Sequence, residues 1–181
     1  MISRIQAVQY RCFAQLDVTL HNYNVLAGAN GTGKSTLIDI PLILRDMLVQ
    51  GIIPAFLGES RTIHATRAQS LQELTHCYRG NYFGFALETP LSQDITRALI
   101  ESAPTSLQAG RKRWPQLLRY EVRFEIFNKV DLQVVDEFLY LLPGMGNPQK
   151  RPSCGATPPW MKKGTMKGGR RSTEIVISFV L

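Results

Sequence analysis

Apolar and polar residues alternate in part along Ile2-Ser3-Arg4-Ile5-Gln6-Ala7-Val8-Gln9-Tyr10, a short run rich in strand formers that predicts a first β-strand. Leu16-Asp17-Val18-Thr19-Leu20 alternates cleanly and predicts a second, with residues 11–15 as the turn region. Tyr23-Asn24-Val25-Leu26-Ala27 is more uniformly apolar, the pattern of a central strand buried on both faces, and predicts a third. Beyond a glycine-rich stretch the period changes. Leu37, Ile40, Leu44 and Leu48 fall at helical spacing and predict a helix over 36–49, closed by Gly51. Pro41 lies inside it, offers no N–H to the carbonyl of Leu37, and should kink the helix or force local rearrangement.

From 53 to 78 the pattern is mixed and predicts loops around one short helix near 68–77. Tyr82-Phe83-Gly84-Phe85-Ala86-Leu87-Glu88 reads as a strand. Leu118-Arg119-Tyr120-Glu121-Val122-Arg123-Phe124-Glu125-Ile126-Phe127 alternates strictly, which predicts one buried and one wet face. Residues 132–142 supply its antiparallel partner across 128–131. The run 174–181 reads as a strand that stops at the final residue, the pattern expected of a chain cut from a longer one. The fold class is therefore α/β (α+β): a mixed sheet with an N-terminal antiparallel portion, a helix after the glycine-rich loop, and a further antiparallel hairpin.

Charge changes this picture in one place. The net formal charge is +7, but residues 143–171 hold seven basic residues (Lys150, Arg151, Lys162, Lys163, Lys167, Arg170 and Arg171) and no acidic one. The other 14 basic residues balance 14 acidic ones. The same segment has five of the ten prolines and six of the fourteen glycines, so it reads as a basic, flexible loop. Its lysines and arginines could release counterions from a DNA or RNA backbone, and Trp160 could stack on a base. A solvated insertion accounts for the same composition and is preferred. No apolar stretch approaches the ~20 residues of a membrane span, and the N-terminus has no secretory pattern. Cys12, Cys77 and Cys154 are odd in number and far apart, which suits reduced thiols in a cytoplasmic protein. With His21, His64 and His76 they show no metal-site spacing.

Gly28-Ala29-Asn30-Gly31-Thr32-Gly33-Lys34-Ser35 satisfies G-x-x-x-x-G-K-[ST], with an expected strand before it and an expected helix after it. The chemistry follows from the residue types. Amides from Asn30 through Gly31, Thr32, Gly33 and Lys34 to Ser35 can ring a β-phosphate, helped by the positive end of the helix. Gly28, Gly31 and Gly33 permit positive φ and close approach of the backbone. Lys34 reaches β- and γ-phosphate oxygens, the Ser35 hydroxyl coordinates Mg2+, and Thr36 donates to the α-phosphate. The ligand so implied is ATP with magnesium.

On these residues the chain resembles a family. Gly-Ala-Asn-Gly-Thr-Gly-Lys-Ser-Thr, with an asparagine three before the last glycine, is similar to the phosphate loop of ABC-type ATPases. Two strands and the Tyr10-Arg11-Cys12-Phe13 turn before it resemble the N-[FY]-[RK]-x-F approach of RecF and SMC-type proteins. Over residues 2–142 the chain looks like the N-terminal half of a bacterial AAA-type ATPase of the RecF/OLD/SMC-like class. The resemblance implies that Arg11 lies beside the nucleotide. With the composition and pattern beyond it, this divides the chain into a lobe over 1–142, a basic loop over 143–171 and the start of a further strand over 172–181. A complete protein of this kind would dimerise through its ATPase head and act on DNA or a partner effector protein. Hydrolysis in such proteins needs an apolar strand ending in Asp-Glu and a Leu-Ser-Gly-Gly-like signature. The signature is absent, and the only Asp-Glu run, Leu132-Gln133-Val134-Val135-Asp136-Glu137, fits a hairpin strand better than a catalytic one. Gln69 could serve as a magnesium-contacting glutamine, but a surface helix position suits it better. Two other classes stay open: a small P-loop nucleotide kinase, weakened by the 27 residues before Gly28, and a non-hydrolysing nucleotide-binding interaction module.

Overall fold

The computed structural model describes residues 1–58, 66–102, 114–143 and 175–178. The basic loop from 144 onward, with Cys154 and Trp160, and also His64, lie outside the described residues.

Strands β1 (Arg4–Tyr10), β2 (Phe13–Thr19), β3 (Tyr82–Pro90), β4 (Pro115–Phe127), β5 (Asp131–Pro143) and β6 (Ile175–Ser178) form one sheet in the order β2-β1-β3-β4-β5-β6. Every pairing among them is antiparallel. The alternation read from the sequence sets the two faces. Ile5 and Ala7 lie beside Leu87 and Phe85, which lie beside Tyr120 and Val122, and Phe83 pairs with Phe124. Against this face pack α1 (Lys34–Gln50), through Leu37, Ile40, Ile43, Leu44 and Met47, and α2 (Ile52–Leu57), through Ala55 and Phe56. The Phe56 ring meets Phe83 and Phe124 edge-on at centroid distances of 5.4 and 5.2 Å. Burying such side chains is worth ~1.5–3 kcal/mol each, and this layer holds α1 in place.

Several expectations are corrected. Residues 23–27 form no strand, and Tyr23 and Val25 are 94% and 91% exposed. The sheet order leaves no central place for one beside β1. A central strand needs neighbours for its N–H and C=O groups, and β1 already has β2 on one edge and β3 on the other. With that strand goes the mixed character of the sheet. The first turn is tighter than residues 11–15, because Phe13 already pairs with Tyr10. The helix begins at Lys34 rather than 36 and runs through Pro41 to Gln50. The short helix near 68–77 is two 3-10 turns, Leu71–Leu74 and His76–Tyr78, so Gln69 stands just outside a helix. The elements α2 and α3 (Gln93–Ser102) are additional. Among the described residues no helix is long and apolar enough to cross a membrane.

Candidate functional site

The glycine-rich loop delivers the chain from an exposed approach (21–27) into the first turn of α1. Gly31 and Gly33 both have left-handed backbones, φ 84° and φ 90°. At Gly33 space matters as well. A Cβ there would stand 2.6 Å from both Cys12 Sγ and Phe13 Cζ, so the loop rests on the β1–β2 turn and only glycine fits. Lys34 closes the loop: its ammonium donates to the carbonyls of Gly28 (2.7 Å) and Ala29 (2.6 Å) and lies 3.4 Å from Thr32 Oγ1. Thr32 Oγ1 in turn donates to Ala29 O at 2.9 Å. An ammonium has three donors. Two are used firmly inside the loop, and the third has only a long contact that a phosphate oxygen could replace.

The helix start suits the same ligand. Gly33 caps α1 without a side-chain hydrogen bond. The Leu37 amide takes the Gly33 carbonyl at 2.8 Å, and the amides of Lys34, Ser35 and Thr36 are the orphan donors every helix begins with. Such donors, with the helix dipole behind them, favour an anion. Ser35 is exposed. Among the described residues no group of three or more His, Cys, Asp or Glu stands together to hold an ion. Ser35 can offer one hydroxyl to a magnesium ion, which commonly fills the rest of its shell with phosphate oxygens and water.

Arg11 sits on the turn that abuts Gly33, and its contacts run to segment 66–78. Its amide donates to Leu74 O (3.0 Å), and its carbonyl accepts from Cys77 N (3.3 Å) and from His76 Nδ1 (2.9 Å). Its guanidinium donates to the carbonyl of Arg67 and lies 5.6 Å from the Tyr10 ring centroid. Gln9, Arg11, Cys77 and Tyr78 all have φ between 49° and 59°. Left-handed backbone costs a non-glycine residue ~1–2 kcal/mol, so strain concentrates where this segment meets the turn, held there by those hydrogen bonds.

Arg67, which sequence reasoning passed over, anchors the segment. Its buried guanidinium donates to Asp39 Oδ1 and Oδ2 (2.9 and 3.0 Å), to Asp46 Oδ2 (2.7 Å) and to the carbonyl of Ala55 (2.7 Å). Arg45 also donates to Asp46, at 2.6 Å. Burial pushes the Asp46 carboxyl up, but the hydrogen bonds from Arg45 and Arg67 outweigh it and hold it below its ordinary range. Only the pair Asp39 and Asp46, buried charges on an otherwise apolar helix face, hinted in the sequence at a buried cation.

The other candidates lie elsewhere. Asp136 pairs with Arg123 at 2.7 Å, and Glu137 accepts from Tyr120 Oη at 2.6 Å. Both are on β5, three strands from β1. The backbone amide of Gln69 donates to Glu73 Oε2 at 3.0 Å. His21 is held in a local turn with Asn24, and Cys12 and Cys77 are free, exposed thiols. On the opposite face of the sheet Arg4, Gln6, Glu88 and Arg119 are buried. Arg4 grips Asp17 through two bonds of 2.7 and 2.6 Å, and Arg119 reaches Glu88 at 2.9 Å and Gln6 at 2.8 Å.

No family model and no curated protein matches the chain. Among solved structures it is similar to a chain from structural work on ATP-driven dimerisation and DNA-stimulated activation of SMC ATPases. The TM-score is 0.41 at 13% identity, covering 76% of this chain and 68% of that one. So loose a likeness assigns no function.

Proposed function

We propose that the chain binds a nucleoside triphosphate, ATP with Mg2+, through residues 28–36. The observation that carries this reading is the loop's closure at an uncapped helix start. Lys34 spans the carbonyls of Gly28 and Ala29 while keeping a donor to give, and Gly33 is fixed against the β1–β2 turn. In this reading Gly28, Asn30, Gly31, Thr32 and Gly33 line the phosphate chain with backbone. Lys34 and Thr36 donate to phosphate oxygens, Ser35 offers its hydroxyl to the metal, and Arg11 adds positive charge from the turn. The wider role is that of the N-terminal part of a RecF/OLD-like ATPase in the cytoplasm. Such a protein would dimerise through its head and act on DNA or an effector protein. Hydrolysis would need acidic and signature groups that the sequence lacks.

Calorimetric titration of the purified chain with ATP tests the reading. Saturable one-to-one binding should appear with Mg2+ and weaken when the metal is chelated, and Ser35→Ala should lose most of that metal dependence. A flat titration up to millimolar ATP would rule the reading out.

A further inference from the structure

The contacts of Arg67 reach in two directions, and both lead to the proposed nucleotide site. Through its guanidinium it ties two carboxylates on α1, Asp39 and Asp46, to the carbonyl of Ala55 on α2. Through its own carbonyl it receives the guanidinium of Arg11. α1 is the helix whose first turn forms the end of the phosphate loop, and the Arg11 turn is the surface on which Gly33 rests. The two supports of the loop therefore meet at one residue.

The charges explain why an arginine stands there. Asp39 and Asp46 are both buried on the same helix, and Arg45 donates to Asp46. A planar guanidinium offers five donors in a fixed fork. Here Nε serves Asp39, Nη2 serves Asp46 and Nη1 serves the Ala55 carbonyl. A lysine ammonium cannot span three acceptors so arranged, and losing any of them leaves a buried polar group unmatched. With its side chain held at three points, the Arg67 carbonyl is fixed relative to α1, and so is the arginine side chain it receives.

We propose that Arg67 is a positioning residue of the phosphate site: it sets where the Arg11 guanidinium stands relative to the loop at Gly33. This rests on the nucleotide-binding reading above. Arg67 touches no ligand itself; it acts through Arg11. The backbone of the β1–β2 turn is held separately, by the Arg11 amide and carbonyl to Leu74 and Cys77 and by a bridge between Tyr10 and Thr75; Arg11→Ala keeps these bonds and removes only the side chain that Arg67 receives.

A double-mutant cycle on the affinity for a fluorescent ATP analogue tests this, with Arg67→Lys, Arg11→Ala and the double variant. Thermal melts of each serve as the measure of fold. If Arg67 acts through Arg11, Arg67→Lys weakens binding about tenfold in the wild-type chain, the size of one lost charge-assisted hydrogen bond. In the Arg11→Ala background it changes binding less than about twofold, because the interaction is already gone. Its effect on the melting temperature is the same in both backgrounds. Should Arg67→Lys fail to fold, Asp39→Asn, which loosens the same guanidinium and keeps the side-chain volume, takes its place in the cycle. Equal losses of affinity in the two backgrounds, with wild type binding normally, overturn the positioning role alone. Absence of binding by the wild-type chain overturns the nucleotide reading and the positioning role together.

Discussion

Replacing Gly33 by alanine should cost distinctly more stability than replacing Gly31, and the difference follows from what surrounds each. Both have left-handed backbones, φ 90° and φ 84°, so both substitutions meet the ~1–2 kcal/mol penalty for an L side chain there. Each recovers ~0.4–1 kcal/mol because alanine has less unfolded-state freedom to lose. At Gly31 nothing lies within 4 Å of the new Cβ, and the net cost should be about 1 kcal/mol or less. At Gly33 the Cβ meets Cys12 Sγ and Phe13 Cζ at 2.6 Å and Phe13 Cε1 at 2.8 Å. Ordinary contact would need both side chains to retreat by about 1 Å, an overpacking that typically adds ~1–3 kcal/mol. The total for Gly33→Ala should therefore be about 1–4 kcal/mol. Urea denaturation followed by circular dichroism measures both costs. Cys12→Ala should return part of the loss in the Gly33→Ala chain and nothing in the Gly31→Ala chain. Equal costs at the two glycines, or no rescue by Cys12→Ala, would refute the packing of the loop on the turn.

The core makes a separate prediction. Phe83 is fully buried among Tyr10, Phe56, Phe85 and Phe124, and Phe83→Ala should lower unfolding free energy by about 3–5 kcal/mol. Arg123→Ala, by contrast, breaks a half-exposed pair with Asp136 and should cost under ~1 kcal/mol in the same assay. Acid sensitivity should come in part from Asp46. Its folded carboxyl titrates below the ordinary 3.8, so the unfolded chain binds more protons in acid. The stabilisation is complete above about pH 4 and is lost as pH falls through the folded value. Denaturation series from pH 5 to 2 should show a shallower decline for Asp46→Asn than for wild type. An unchanged slope would contradict the Arg45–Asp46–Arg67 arrangement. Asp17, lowered by the hydrogen bond from Arg4 despite partial burial, should keep its share in both chains.

Elements defined by a repeated local pattern were legible in the sequence. β1 alternates in part, β2 and β4 alternate cleanly, β3 is a short run of strand formers, and the apolar spacing from Leu37 to Leu48 defines α1 whatever surrounds it. The run 23–27 misled because apolar composition describes side chains, whereas a strand also needs a partner for its backbone, and 23–27 has no place in the strand order. α3 had a usable signal in Ser92, whose hydroxyl accepts from the Ile95 amide at 3.3 Å as a helix cap. Ile95, Ala98 and Leu99 also fall at helical spacing along it, though α3 buries none of them. At the candidate site, the glycine-rich loop stood out because its eight residues are contiguous. Arg67 was not, since its carboxylate partners lie 28 and 21 residues away and only the folded chain brings them together.

The central claim is that residues 28–36 hold a nucleoside triphosphate, and Lys34 is the residue on which it turns. Lys34→Ala removes the ammonium that on this reading meets the phosphates, and such charged hydrogen bonds are worth ~1.5–3 kcal/mol, or at least about tenfold in Kd. The direct measurement is the Kd of a fluorescent ATP analogue with Mg2+ for wild type, Lys34→Ala and, as a control on an exposed turn, Lys129→Ala. Circular dichroism should show all three folded at the temperature of the titration. Tight binding by wild type and Lys129→Ala, with a loss of tenfold or more in Lys34→Ala, is the predicted result; equal affinity in all three chains would contradict the assignment.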